Sequence, residues 1–283
     1  MPDRPPVGAS GPAAAVHRAA LSETALRDAL IQPGSLWRDV RVVTQTGSTN
    51  ADLLAEAGNG APQGLVLAAE SQTAGRGRMG RRWYSPPRAA LTFSVLLRPG
   101  DMPPASRGWV PLLAGVAVAG AIRAETGLDA RLKWPNDVLV SGAKVAGILA
   151  EQCADAIVLG TGINVSASQR EIPAPGATSL ALAGAAGLDR ERLLARVLAG
   201  MQRWYLAWTT AAPGAARGDA GACGLRPEYL RLSATIGRAV RVDLPGGQVL
   251  TGTAQDVDEA GRLVVRAASG LVPVSAGDVI HLR

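Results

Sequence analysis

Glu70-Ser71-Gln72-Thr73-Ala74-Gly75-Arg76-Gly77-Arg78-Met79-Gly80-Arg81-Arg82-Trp83 is the stretch that decides which folds the chain can have. Its glycines let backbone N–H groups approach a ligand closely, and Arg76, Arg78, Arg81 and Arg82 add planar charged donors, so the segment is built to hold anions. Trp83 adds a flat ring able to stack on a base. The spacing of Gly75, Gly77 and Gly80 after an apolar run at 65–69 also satisfies the dinucleotide fingerprint of a Rossmann fold. That fingerprint requires a helix directly after the glycines. Here the chain continues Arg81-Arg82-Trp83-Tyr84-Ser85-Pro86-Pro87, which has no apolar stripe and two prolines. A Walker loop is excluded because no Gly-Lys-Ser/Thr follows. Two readings of the segment stand: an anion-binding loop on another fold, or a solvated Arg/Gly surface or RNA-binding patch.

Of the 29 lysines and arginines only Lys133 and Lys144 are lysines, and they stand close together in Leu132-Lys133-Trp134-Pro135-Asn136-Asp137-Val138-Leu139-Val140-Ser141-Gly142-Ala143-Lys144-Val145-Ala146-Gly147-Ile148-Leu149-Ala150-Glu151. An ammonium is a compact point charge that bridges oxygens of two ligands better than a guanidinium does. Chance clustering around an ordinary Pro135-Asn136-Asp137 turn is the alternative.

Five segments taken together resemble the biotin protein ligases: Gly47-Ser48-Thr49-Asn50; Gln72 with Gly75-Arg76-Gly77-Arg78-Met79-Gly80-Arg81; Lys133-Trp134-Pro135-Asn136-Asp137; Lys144-Val145-Ala146-Gly147-Ile148-Leu149; and Gly162-Ile163-Asn164-Val165. They occur in family order and span most of residues 42–166. Met79 departs from the pattern, standing where many relatives carry a polar or basic residue.

The resemblance implies an α+β catalytic domain of the class II aminoacyl-tRNA synthetase-like kind, a mixed sheet with helices, followed by a small C-terminal SH3-like β-barrel. It implies ATP- and Mg²⁺-dependent formation of biotinyl-5′-AMP, then transfer of biotin to a lysine of a biotin carboxyl carrier protein domain of acyl-CoA carboxylases. Ser48, Thr49, Asn50, Gln72, Gly75, Arg76, Gly77, Arg78, Lys144 and Gly147 are the implied biotin site. Arg78, Trp83, Asn136, Lys144 and Asn164 are the implied nucleotide site, with Trp83 stacking on adenine. Lys144, Arg76 and Arg78 are the expected electrostatic catalysts, and Asp137 is the candidate for metal or for the acceptor lysine. Structural roles compete at three of these positions: Ser48 as a helix cap, Asn164 as a strand end, Asp137 as a turn residue. The enzyme rival is a lipoate or other acyl-protein ligase. The rival of another class is a non-catalytic Arg/Gly-loop nucleic-acid-binding module.

Composition agrees with an enzyme of this size. At 283 residues with 47% hydrophobic and 4% aromatic content, the chain can bury a large core in which alanine and valine carry much of the packing. The net charge of +6 comes from arginines scattered among acids, with no basic stripe outside the glycine loop. Cys153 and Cys223 are far apart and lack ligand-spaced neighbours, so neither a disulfide nor a metal site is expected, and His17 and His281 lie near opposite ends. No apolar run of membrane-spanning length and no secretory signal is read from the sequence, so a cytoplasmic protein without membrane or DNA partners is expected. The DNA expectation rests on the roughly forty residues before the first motif, fewer than a winged helix-turn-helix module of about sixty requires.

Residues 1–20 read as a disordered tail, 21–232 as the catalytic domain and 233–283 as the barrel. Strands are expected at 40–44, 65–70, 91–97, 131–134, 137–140, 144–152, 157–160 and 163–165. Helices are expected at 22–30 with a Ser22 cap, from 48 or 49 to 57, and at 111–126, 189–210 and 227–232. Short alternating strands at 239–244, 249–257, 263–265 and 279–282, separated by glycine turns, form the barrel.

Overall fold

The computed structural model describes residues 18–84, 86–172, 174–210, 214 and 216–282. Most of the expected tail therefore lies outside the described residues. In chain order the first part holds α1 (Glu23–Leu30), β1 (Asp39–Val43), α2 (Thr49–Gly58), β2 (Leu65–Ala69), β3 (Ala90–Leu97) and α3 (Trp109–Thr126). β4 (Ala130–Lys133), β5 (Asp137–Val140), β6 (Ala143–Cys153), β7 (Ala156–Asn164), α4 (Arg190–Thr209) and α5 (Leu225–Leu232) complete it. Its seven strands form one mixed sheet in the order β1-β2-β3-β7-β6-β5-β4, in which only β1 and β2 pair in parallel.

Alternation along β3 gives the sheet two different faces. Leu91, Phe93, Val95 and Leu97 point into the main core with α3 and α4, whereas Leu96 joins a smaller cluster with Leu53 of α2 and Leu67. α2 starts at Ser48, whose hydroxyl accepts from Ala51 N–H, so the expected cap is present. α3 calls for a correction: the helical stretch 104–126 is long and apolar enough to cross a membrane, contrary to the sequence reading. Most of it is buried, packed against the sheet and α4, as befits a core helix.

The C-terminal part comprises β8 (Ala239–Asp243), β9 (Val249–Val257), β10 (Leu263–Ala267), β11 (Gly270–Val274) and β12 (Asp278–His281), paired antiparallel in the order β11-β10-β9-β8-β12. β11 is not among the strands expected from sequence, because Gly270 and Pro273 argue against one. As an edge strand it tolerates a residue without an N–H. This small all-β domain shares one continuous core with the larger one, and the indoles of Trp109 and Trp134 donate to Glu259 O at 2.9 Å and Gly261 O at 3.1 Å.

β7 also differs from expectation. Residues 156–164 form one strand, although Gly160 and Gly162 suggest a break after residue 160. Both glycines make room for side chains that lie on the sheet.

Candidate active site

The register of the sheet puts Thr92, Gly162, Gly147 and Asp137 side by side on β3, β7, β6 and β5. Thr92 alternates with core residues, so this row lies on the face away from α3. Two glycines at its centre leave a flat floor without side chains. The neighbouring row runs Ser94, Gly160, Leu149. A cavity of about 320 Å³ sits on these rows, and its walls come from the start of α2, the arginine loop and Glu171, Ile172, Ala174, Pro175 and Ala177.

Of the site residues expected from sequence, Ser48, Thr49, Asn50, Gln72, Arg76, Gly77, Arg78, Trp83, Asn136, Asp137, Lys144, Gly147 and Asn164 all line this one cavity. Gly75 does not. It acts from behind, since a Cβ there would lie 2.8 Å from Gln72 Nε2 and closer still to the Trp83 carbonyl. Lys133 is also outside the lining, on β4 opposite Asp137. Thr161 and Glu171, which sequence reasoning did not single out, complete the walls together with Arg81 and Arg82 of the anion-holding loop. The period-two glycines Gly160 and Gly162 were the available signal for the floor.

The walls are held by a connected polar network. Gln72 Oε1 accepts from Thr49 N–H at 2.8 Å and from Thr49 Oγ1 at 3.1 Å, while Thr49 Oγ1 and Ser94 Oγ lie 2.7 Å apart. Asn50 Oδ1 accepts from Ser94 Oγ at 2.5 Å, and its Nδ2 donates to Glu151 at 2.8 Å and to Leu149 O at 3.3 Å. The Asn50 amide is thus committed to protein partners and fixes α2 over β6. Asn136 is committed in the same way: its Oδ1 accepts from Arg78 at 3.0 Å and its Nδ2 donates to Ile148 O at 3.0 Å. Asn164 Nδ2 donates to Thr178 O at 2.9 Å.

Cations crowd one region of the cavity. Lys144 Nζ lies 2.6 Å from Asp137 Oδ1, and its backbone is clamped between Gly176 O and Thr178 N–H, each at 2.8 Å. Arg78 is held by Asn136 and by Gly277 O of the C-terminal domain at 3.4 Å, and Arg81 pairs with Asp278 at 2.9 Å. Burial lowers the pKa of Arg78 from its ordinary value, with Asp278 and Asp137 opposing the shift. The arginine loop is therefore braced against the second domain. Met79, in the left-handed region at φ 56°, stands exposed at the loop tip.

Trp83 lies flat on the glycine floor. A Cβ on Gly162 would come within 2.7 Å of its Nε1, and one on Gly147 within 3.3 Å of its Cζ3 and 3.1 Å of Lys144 Nζ. This places the indole against Gly147, which resemblance assigns to biotin, and near Lys144. Trp83 Nε1 and Thr161 Oγ1, both of the lining, are buried with no hydrogen-bond partner among the described residues. Among the described residues no cluster of three or more His, Cys, Asp or Glu is arranged to hold a metal. Asp137 and Glu171 are the carboxylates of the lining, and Glu171 is engaged by Arg18.

A lysine and four arginines set over a glycine floor, with a rigid polar wall beside them, define a protein that brings anionic reactants together. Comparison with known proteins makes the class specific. Residues 42–167 match the biotin/lipoate A/B protein ligase family, and residues 235–282 match the biotin protein ligase C terminal domain. The chain is 47% identical to the biotin–[acetyl-CoA-carboxylase] ligase of Mycobacterium tuberculosis over 94% of its own length and 97% of that protein. It is 32% identical to the bifunctional ligase/repressor BirA of Escherichia coli, over 86% of this chain and 74% of that one. Among solved structures, the biotin protein ligase of Aquifex aeolicus in complex with biotin and ATP superposes with a TM-score of 0.70 at 27% identity, covering 87% of this chain and all of that one. The chain belongs to the biotin protein ligase family.

Proposed function

We propose that this chain ligates biotin to a lysine of a biotin carboxyl carrier domain of an acyl-CoA carboxylase, and that the cavity on the glycine floor serves both half-reactions. Biotin ligation is the activity named for its relatives, and a structural neighbour holds biotin and ATP together. The observation that carries the reading is Lys144, fixed at both backbone and side chain within a cavity that also gathers Arg76, Arg78, Arg81 and Arg82.

In the first step a biotin carboxylate oxygen attacks the α-phosphorus of ATP, the bond to the β-phosphate oxygen breaks and pyrophosphate leaves. Both reactants are anions, so the barrier falls when fixed positive charge stands where the charge is redistributed. Lys144, Arg76 and Arg78 are the groups we assign to this. Their order is maintained by Asp137, Glu151 and Asn136 respectively. Ser48, Thr49, Gln72, Gly77 and the Gly147 backbone form the side given to biotin, with Asn50 and Gly75 supporting them. Arg78, Asn136, Asn164 and Trp83 belong to the nucleotide side in this reading, Trp83 lying between the two. In the second step the carrier lysine's amine attacks the acyl carbon and AMP leaves.

Magnesium typically arrives on substrate phosphates with one or two protein carboxylates, so a lining with few acids suits it. Asp137 is the residue that would face such an ion, which when bound would neutralise phosphate charge. The mixed anhydride is protected from water if the arginine loop closes over it. A cytoplasmic location is part of this reading, as a compartment that supplies ATP and carboxylase carriers.

Incubation with ATP, Mg²⁺ and either biotin or lipoate, with the adenylate identified by mass spectrometry, tests the reading. Biotinyl-5′-AMP and labelling of a carrier domain are the expected products. A lipoyl-adenylate formed in preference would reassign the substrate, and retention on nucleic acid without ATP turnover would overturn the enzyme reading.

A further inference from the structure

Residues 18–21 connect two walls of the cavity that are otherwise far apart in sequence. Arg18 meets Glu171 with both amino groups, at 3.1 and 2.8 Å, and also donates to Ser166 O at 3.1 Å, while its side chain is only 15% exposed. Glu171 in turn accepts from Ser168 N–H and Oγ at 2.8 and 2.9 Å, closing a capping box. A little further on, Gly176 and Thr178 clamp the backbone of Lys144. Glu171, Ile172, Ala174 and Ala177 all line the cavity.

The next residues reach the other wall. Leu21 N–H donates to Glu70 Oε1 at 2.7 Å, and Ala19 O accepts from Arg190 Nη2 at 2.5 Å. Arg190 and Glu70 form an ion pair at 2.7 Å whose side chains are 8% and 6% exposed. Glu70 is the first residue of the arginine loop segment. Four consecutive residues thus tie the root of that loop to the wall that clamps Lys144.

We propose that Arg18 is a positioning residue for the nucleotide side of the site, acting through Glu171 on the wall that carries Lys144. This rests on the reading of the cavity as a biotin and ATP site. Arg18 and Glu171 share no hydrogen bond or ion pair with Ser48, Thr49 or Gln72, whereas Thr178 of the same wall accepts from Asn164 of the nucleotide side, so their loss bears on the nucleotide more than on the wall given to biotin. The bidentate geometry makes Arg18 hard to replace: a lysine reaches Glu171 or Ser166 O but does not reproduce the fork.

The test uses the full chain with Arg18→Ala, Arg18→Lys, Glu171→Gln and the Arg18→Ala/Glu171→Gln double variant. Binding of biotin and of a non-hydrolysable ATP analogue is read separately by calorimetry, and adenylate formation by single-turnover kinetics. Arg18→Ala is expected to weaken analogue binding and to raise the ATP concentration for half-maximal rate by about tenfold, a cost within the range for a displaced binding group. Biotin affinity should fall less than nucleotide affinity, because Lys144 serves both reactants while Ser48, Thr49 and Gln72 stand on the untouched wall. Arg18→Lys should recover part of the loss, and the double variant should be no worse than the poorer single variant, because the two residues act as one unit. Unchanged nucleotide binding in Arg18→Ala, or equal losses of biotin and nucleotide affinity that follow a fall in melting temperature, would overturn the proposal. Because analogue binding is measured directly, a failure to make biotinyl-adenylate would count against the substrate reading alone.

Discussion

Lys144 Nζ and Asp137 Oδ1 stand 2.6 Å apart on adjacent strands, and Asp137 lies directly across from Gly147 on the floor. The carboxylate holds the ammonium beside the cavity before any substrate enters, so little reorganisation is needed at the moment of reaction. Removing one preorganised charge of this kind costs roughly 10²- to 10³-fold in rate. Lys144→Ala should fold normally and form biotinyl-adenylate slower by that factor in single-turnover assays. Lys144→Arg should restore only part, since a planar fork does not copy a point charge. Lys133→Ala is the internal control, its side chain lying outside the cavity lining. A normal single-turnover rate for Lys144→Ala would remove the central catalytic assignment.

Trp83 rests on Gly162, and a methyl group there would collide with the indole. The ring sits in a loop, so Gly162→Ala is expected to push it off the floor at modest cost to the fold. Gly160→Ala meets a different neighbour, Asn50, whose amide is fixed by Ser94, Glu151 and Leu149. Overpacking against such a fixed group typically costs about 1–3 kcal/mol. Urea unfolding should therefore separate the two variants, with Gly160→Ala the less stable. Biotin should change the emission of the wild-type protein but not of Trp83→Phe. Equal stability of the two glycine variants would show that Asn50 is not rigid.

The family motifs made most of the cavity legible in the sequence, because each motif residue lies on a strand row or a loop that faces it. What the motifs did not reveal depends on pairing between distant segments. Gly160 and Gly162 looked like strand breaks, since a sequence shows the lost side chains but not the Asn50 and Trp83 groups that fill the space. Arg18, Glu171 and Arg190 belong to no motif, and only the folded chain brings them to the walls. Asn50 and Asn136 both line the cavity, and the hydrogen bonds that tie their amides to Ser94, Glu151, Leu149, Arg78 and Ile148 are set by segments distant in sequence. β11 was missed because edge pairing overrides the poor strand propensity of Gly270 and Pro273. The Asp278 brace on Arg81 was equally hidden, joining groups from the two domains.

A pH dependence follows from His281. Burial, with Lys133 and Arg238 nearby, lowers its pKa below the ordinary 6.5, and its Nε2 lies 3.1 Å from Thr235 Oγ1. Between the lowered folded value and 6.5 the unfolded chain binds the proton and the folded chain does not, so stability rises with pH in that window. It is complete above 6.5 and is lost as the pH falls through the folded value. Glu171 adds a separate step at lower pH. Arg18 chiefly, with help from Ser168, holds its carboxyl down at about 2, so that contribution is present above 4.5 and disappears toward pH 2. Urea midpoints measured from pH 8 to pH 5 (roughly the range over which histidine titrates) should decline, and His281→Asn should flatten the decline. An unchanged slope in that variant would assign it to other groups.

Arg190 and Glu70 supply the sharpest stability prediction. Both side chains are buried, and beyond each other they bond to Ala90 O, Ala19 O and Leu21 N–H. Breaking a buried pair from one side leaves an uncompensated charge and typically costs about 3–5 kcal/mol, whereas replacing both partners with apolar residues of similar volume is often close to neutral. Arg190→Met alone should therefore lose several kcal/mol in urea unfolding, and Arg190→Met/Glu70→Leu should regain much of it. The double variant has a second use, because Glu70 starts the arginine loop and anchors Leu21. If the pair serves to hold that loop as well as to stabilise the core, the recovered protein should still bind ATP more weakly than wild type. Full recovery of both stability and ATP binding would make the pair dispensable to the site, and a loss below about 1 kcal/mol in Arg190→Met would show that Glu70 finds another partner.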